Sequence, residues 1–242
     1  MLRATKLKTT TGIRRSIAHA FRDNDTPNAD ATRTSGNSHI GASSTAEALE
    51  ALQIRLETVG KVRSNAVLAV EYLVTASPDA MRQKTREQQD AYFSDTLEWI
   101  RAKHGAENVF YAEIHRDETT PHLYAYVVPI DSRGRLNCRA FLGGAKALTQ
   151  MQTNFAQQVG YPHCLERGIE KSKAKHMEIR RWNGQQNAME TRLEATSRRL
   201  TGMTNVTAKL ARALIEHNPH VATELGFVRQ RRQPETTTGR EM

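Results

Sequence analysis

Two stretches of strict alternation sit either side of a short polar connection near the middle of the chain. In residues 109–115, Phe110, Ala112 and Ile114 alternate with Val109, Tyr111, Glu113 and His115; in residues 122–128, Leu123, Ala125 and Val127 alternate with His122, Tyr124, Tyr126 and Val128. A period of two marks a strand with one buried face. Residues 116–121 between them have hairpin-loop length and turn-forming side chains, so the pair is predicted to form a hairpin. With both apolar triplets in the core, His115, His122 and Tyr124 project together from the opposite face.

The rest of the chain supplies partners for that hairpin. Residues 66–76 are too apolar for anything but a central strand, apart from Glu71, a carboxylate that is costly on an interior strand unless paired. Glu71 is therefore a candidate ion-sphere residue or base, or it faces solvent. At the start, Leu2, Ala4 and Leu7 among Arg3, Lys6 and Lys8 read as a short strand with cations along one edge. Ser44 and Glu47 form a capping-box pattern before a helical stripe, Ala48, Leu49, Leu52, Leu56 and Val59, which Gly60 can end. A further helix develops after Pro78, with Phe93, Leu97 and Ile100 on one face beside Tyr92 and Trp99, and Gly105 closes it. Beyond a turn at residues 131–134, a short strand is predicted over 136–141. A plain turn at Gly143 and Gly144 then leads into a helix carrying Leu148, Met151, Phe155 and Val159, with Gly160 at its C-cap. Residues 22–40 are polar and turn-rich, a connection long enough to be functional. Residues 185–226 are patchily helical, and 227–242 are expected to be disordered. The sum is an α/β (α+β) fold: a largely antiparallel sheet of about five strands, helices packed on one face and the hairpin's polar side on the other.

Length and composition add limits. A chain of 242 residues suits one sizeable domain with an appendage. No apolar run is long enough to span a membrane and the amino terminus lacks a signal-type stretch. Cys138 and Cys164 offer no disulfide framework, so a reducing cytoplasm is expected. The 35 Lys and Arg against 26 Asp and Glu give +9, which favours a polyanionic partner. Arg167, Lys171, Lys173, Lys175, Arg180 and Arg181 gather around Trp182, a mixture suited to single-stranded DNA, with a solvated helix face as the competing reading.

Two imidazoles on one face of neighbouring strands, with Glu118 in the connecting loop, make a nitrogen and oxygen pocket for a divalent ion such as Mn, Mg or Zn. The segment His115-x-Asp117-Glu118-x-x-Pro121-His122-x-Tyr124 resembles the metal-binding motif HxDExxPHxH of the MobV relaxases, the Mob/Pre plasmid mobilisation and recombination proteins. It departs at the last position, where Tyr124 stands in place of the third histidine; Glu118, water, Tyr124 or another side chain would complete the shell. His19, within Ala18-His19-Ala20-Phe21-Arg22 and ahead of Thr26-Pro27-Asn28-Ala29-Asp30, matches the position of the family's catalytic histidine. The basic opening strand and residues 165–176 are also similar, so the resemblance covers roughly the first three quarters of the chain.

This resemblance implies a palm-like histidine-cluster (HUH) endonuclease over residues 1–184 that nicks one strand of plasmid transfer-origin DNA, bound as single strand or hairpin, with Mn or Mg as cofactor. Cleavage needs a charge sink, an in-line nucleophile and a grip on the strand. The expected roles are metal binding by His115, His122, Glu118 and Tyr124, nucleophilic attack by His19, and orientation of a ligand imidazole by Asp117 or Glu118, with Glu118 counted among the catalytic residues. Arg3, Lys6, Lys8, Arg22, Arg33 and the 167–181 cluster would hold phosphates. Conjugative coupling proteins and a second copy of the chain are the further partners left open. Competing readings are a tyrosyl nucleophile at Tyr111 or Tyr126, a rolling-circle replication initiator, and a non-catalytic DNA-binding module or repressor with structural zinc, although neither cysteine lies near the hairpin.

Overall fold

The computed structural model describes residues 2–169 and 179–226, without the side chains of residues 179–191 and 193–195. By backbone contacts the chain divides into two compact units, Met1–Ser172 and Lys173–Met242. In the first, the order is β1 (Leu2–Leu7), α1 (Thr10–Ala20), β2 (Ser38–Ile40), α2 (Thr45–Glu57), β3 (Ala69–Val74), α3 (Pro78–Arg82), α4 (Arg86–His104), β4 (Val109–His115), β5 (His122–Val127), α5 (Cys138–Phe141) and α6 (Ala145–Phe155). The strands form one five-stranded sheet, β1-β3-β5-β4-β2, with every pair antiparallel. The hairpin strand β5 is its central member.

Alternation sorts the sheet's side chains into two cores. On one face Val70, Tyr72, Val74, Ala112, Ile114, Leu123, Ala125 and Val127 pack with Phe93, Leu97 and Ile100 of α4 and with Met151 and Phe155 of α6. The second face is not left open along its length: Ala69, Tyr111 and Tyr126 pack there with Ile13, Ile17 and Ala20 of α1 and with Ala48 and Leu52 of α2. Ile13, Ile17 and Ala20 recur at helical spacing and are all fully buried; burial of each isoleucine contributes about 1.5–3 kcal/mol. Helices therefore lie on both faces, because this short stripe on α1 needs an apolar surface of its own.

Several local expectations change. Phe110 does not side with Ala112 and Ile114: a register shift between Val109 and Tyr111 turns it to the α1 face, where it packs near Tyr126. This is a β-bulge, one residue inserted into the pairing. Residues 136–141 are not a strand; Asn137 caps α5 by accepting from the Ala140 amide, and only an isolated bridge joins Ile130 to Leu136. The helix after Pro78 is two helices, because Thr85 and Gln88 form a reciprocal capping box that starts α4 afresh. Gly160 has helical angles, and the left-handed stop falls instead at Cys164 (φ 56°). Leu148 on α6 is 39% exposed and lies outside both cores.

In the second unit, α7 (Ile179–His217) and α8 (Pro219–Glu224) are joined at Asn218. The expected tail at 227–242 lies outside the described residues. No described helix is long and apolar enough to cross a membrane.

Candidate metal centre

His115 ends β4 and His122 begins β5, and the two are directly opposed in the hairpin register. Their rings are held by acceptors behind them. His115 Nε2 lies 3.1 Å from both the Ala20 carbonyl and Glu113 Oε2, and His122 Nδ1 lies 2.9 Å from the Thr120 carbonyl. Acceptors on those nitrogens place the protons there and turn the remaining lone pairs inward. The inward atoms, His115 Nδ1 and His122 Nε2, are 3.1 Å apart, with Glu118 Oε1 at 3.8 and 3.9 Å. All three ligand atoms fall within 4.8 Å of one another. Two lone pairs so close repel unless a cation or proton stands between them, and two bonds of about 2.1 Å meeting near a right angle at one ion give about this separation. The donor set therefore fits a divalent ion.

Glu118 is aimed by its neighbours: Arg22 Nη2 donates to Oε1 at 3.0 Å and Asn28 Nδ2 to Oε2 at 2.7 Å. Asp117 serves differently from expectation. It accepts from Arg22 Nε (2.9 Å) and Nη2 (2.6 Å), Thr34 Oγ1 (3.1 Å) and Asn37 Nδ2 (2.9 Å), so it anchors the loop that follows α1 and touches neither ligand imidazole. Burial pushes its carboxyl pKa up, but the bonds from Arg22 and Asn37 outweigh this and hold it well below the usual range. The imidazole acceptor is Glu113, fully buried on the same face of β4. Tyr111 donates to Glu113 at 3.1 Å, and His39 on β2 contacts the Tyr111 hydroxyl at 2.8 Å. Phe21 stacks on both His39 and Tyr111, at 4.5 and 5.0 Å.

His19 sits in the last turn of α1, half-buried, its ring 6.0 Å from that of His115. Its Nε2 is 3.4 Å from Arg22 Nη1. Burial first and the Arg22 charge second lower its pKa, which keeps the ring neutral at pH 7. Burial also lowers His122. At His115 burial acts downward, but the bond and charge of Glu113 prevail and raise it, the direction that favours a cation at this spot. Tyr124 walls the site edge-on to both ligand rings, at 5.6 and 5.3 Å, and burial, then Glu71, raises its phenol so that it stays protonated. Glu71 shares this face and is paired: Ser16 donates to it and also contacts the Tyr126 hydroxyl.

The expected phosphate contacts scatter. Arg3, Lys6 and Lys8 are exposed on or just after the edge strand β1. Arg22 is engaged by carboxylates, and Arg33 donates to the Arg116 carbonyl, so both shape the loop around the centre. Arg167 bonds Thr153. Lys171, Lys173 and Lys175, and the side chains of Arg180, Arg181 and Trp182, lie outside the described residues. Of the residues sequence reasoning passed over, Glu113 had a signal, a carboxylate two positions before His115 on the same face. Asn28 stands in the family-like run Thr26-Pro27-Asn28-Ala29-Asp30, although nothing there pointed to its bond with Glu118; His39, Thr34 and Asn37 had no signal, since their contacts come from chain segments that meet only in the fold.

Residues 1–184 match the family described as plasmid recombination enzyme (Mob_Pre). A 65 kDa protein of Zymomonas mobilis is 35% identical over 188 residues, 76% of this chain and 32% of that protein. Plasmid recombination enzyme type 1 of Staphylococcus aureus is 39% identical over 114 residues, 46% of this chain and 28% of that enzyme. The matched stretches thus span about a third of these relatives' length. Among solved structures, the Mn-bound MobM relaxase domain in complex with plasmid pMV158 oriT DNA superposes with a TM-score of 0.68 at 24% identity, covering 76% of this chain and 96% of that domain. The two share a fold. With most of its length matched, the chain belongs to the plasmid recombination enzyme (Mob_Pre) family.

Proposed function

We propose that this chain carries the nicking module of a plasmid mobilisation relaxase, a metal-dependent, site- and strand-specific endonuclease acting on transfer-origin DNA in the cytoplasm. The observation that carries the reading is the convergence of His115, His122 and Glu118 next to a neutral His19, on elements far apart in sequence. Family membership supports it, as does the resemblance to a domain solved with Mn and oriT DNA.

His115, His122 and Glu118 would hold Mn or Mg. Such an ion supplies positive charge to the non-bridging oxygens of the scissile phosphate. The chain does the rest. Arg22 Nη1 lies 3.4 Å from Nε2 of His19, which keeps the lone pair on that nitrogen and the proton on Nδ1, and this weak contact is given up as the lone pair turns to the phosphate. Nε2 attacks phosphorus, the bond from phosphorus to O3′ breaks, and O3′ leaves as a hydroxyl after gaining the proton the ring gives up through solvent. The 5′-phosphate remains on His19 as a phosphoramidate. Because that bond retains the cleavage energy, a 3′-hydroxyl can reverse the step and reseal the strand.

A tyrosyl nucleophile fits less well. Tyr111 and Tyr126 are each 1% exposed beneath α1, their hydroxyls bonded to Glu113 and Ser16, and burial raises both phenols far above their ordinary value. The test is nicking of supercoiled plasmid bearing the candidate origin, with Mn or Mg. The wild type is expected to yield open circles, while His19→Ala and His122→Ala bind DNA without cutting it. The trapped adduct should break in acid, as phosphoramidates do; an acid-stable adduct would overturn the assignment of His19.

A further inference from the structure

A second cationic feature lies at the end of the sheet away from the metal centre. The loop between α2 and β3 and the turn after β5 enclose a cleft of about 690 Å³ lined by Lys61, Arg63, Arg133 and Arg135, with Val59 and Leu136 at its base. Among the described residues, no carboxylate and no aromatic ring lines it. The nearby Asp131 is occupied by the turn, accepting from the amides of Arg133 and Arg135 and from Asn137. All four cationic residues are exposed, and among the described residues none of their charged heads has a hydrogen bond or ion pair. Arg133 is partly offset by the charge of Asp131, but Lys61, Arg63 and Arg135 leave an excess of like charge around the cleft, whose repulsion a polyanion relieves.

Its position connects it to the metal centre. Val59 belongs to the apolar cluster of Ile13 and Ile17, and Leu136 packs against that cluster, so the base of the cleft is part of the core on the face of the sheet that carries α1. The six residues of β5 from His122 to Val127 separate the two by about 20 Å. α1 runs between them, from Thr10 at the cleft end to His19 at the centre, with Arg14 and Arg15 exposed on it. Single-strand sites combine cations with aromatic stacking platforms. A cleft with cations and no ring suits DNA whose bases are sheltered in a duplex and whose phosphates face outward.

We infer that the Lys61, Arg63, Arg133 and Arg135 cleft binds the phosphate backbone of a duplex flank, about six base pairs from the strand held at the metal centre. The inference takes from the nicking reading only that the ligand is DNA. The test compares the wild type with a variant carrying Lys61→Ala, Arg63→Ala, Arg133→Ala and Arg135→Ala. Two probes are used: a duplex of about 12 base pairs with a single-stranded tail of about 12 nucleotides, and that tail alone. The variant is expected to bind the duplex probe at least about tenfold more weakly near 0.15 M salt, with the log–log salt slope reduced by about 2–4. It should bind the tail alone as the wild type does. Equal losses on both probes would mean a net-charge effect and overturn the site, as would no loss on either, the result expected of a cleft made for an acidic protein. A wild type that fails to nick plasmid while its duplex binding follows this pattern would sink the nicking reading and leave the cleft standing.

Discussion

A buried carboxylate two residues before His115 decides which nitrogen of that imidazole is free to meet a metal ion at the candidate centre. Glu113 and the Ala20 carbonyl both sit behind Nε2, so Nδ1 is left to coordinate. Replacing Glu113 with Gln keeps the shape and removes the charge. Acceptors of this kind typically alter metal affinity by about 10–100-fold, so Glu113→Gln is expected to bind Mn more weakly by that order in calorimetry. Its circular dichroism should be unchanged, and an unaltered Mn affinity would remove Glu113 from the positioning role. His19 gives a pH expectation of definite sign. Attack needs the neutral ring, and burial places its pKa below the ordinary 6.5. Single-turnover nicking at saturating Mn should therefore decline in acid with a midpoint below 6.5; a midpoint above 6.5 would contradict the buried setting of His19.

At the scale of elements, the C-terminal turn of α4 contains another histidine with a different task. His104 is 4% exposed, contacts the Tyr72 hydroxyl at 2.9 Å through Nε2, packs on Phe141, and has no partner for Nδ1 among the described residues. Burial, with a smaller push from Lys103, lowers its pKa to about 3. The unfolded chain, near 6.5, then binds the proton more readily than the native state. The associated stability is complete above pH 6.5 and is lost as pH falls towards about 3, up to about 5 kcal/mol in all. His104→Gln should accordingly show a smaller drop in thermal midpoint between pH 7 and pH 4.5 than the wild type; equal drops would rule His104 out as an acid-sensitive point. The hairpin beside it was readable in advance because alternation and turn residues are local properties. The bulge at Phe110 and the capped α5 were not, since a pattern of period two cannot show where one extra residue enters the ladder.

For the whole molecule, the backbone divides at Ser172, whereas the family match runs to residue 184. The first unit contains both apolar cores and every ligand of the candidate centre. A fragment of residues 1–172 is expected to melt cooperatively and to bind Mn with the affinity of the full chain. A broad, non-cooperative melt would show that the second unit is required for folding.

Strand periodicity, the helix stripes at 44–59 and after Pro78, the net charge and the pair of histidines flanking an acidic turn were all set by neighbours in sequence, so the sequence by itself determined the hairpin, the antiparallel sheet and the common face of two of the three candidate ligand side chains. The tertiary structure alone decided that His19 comes to rest 6.0 Å from His115, that Arg22 is consumed by Asp117 and Glu118, and that β2 brings His39 against Tyr111. Those contacts join residues some 70 to 100 positions apart. Their free energy exists only once α1 and the loop after it are folded over the sheet, and no local pattern encodes it.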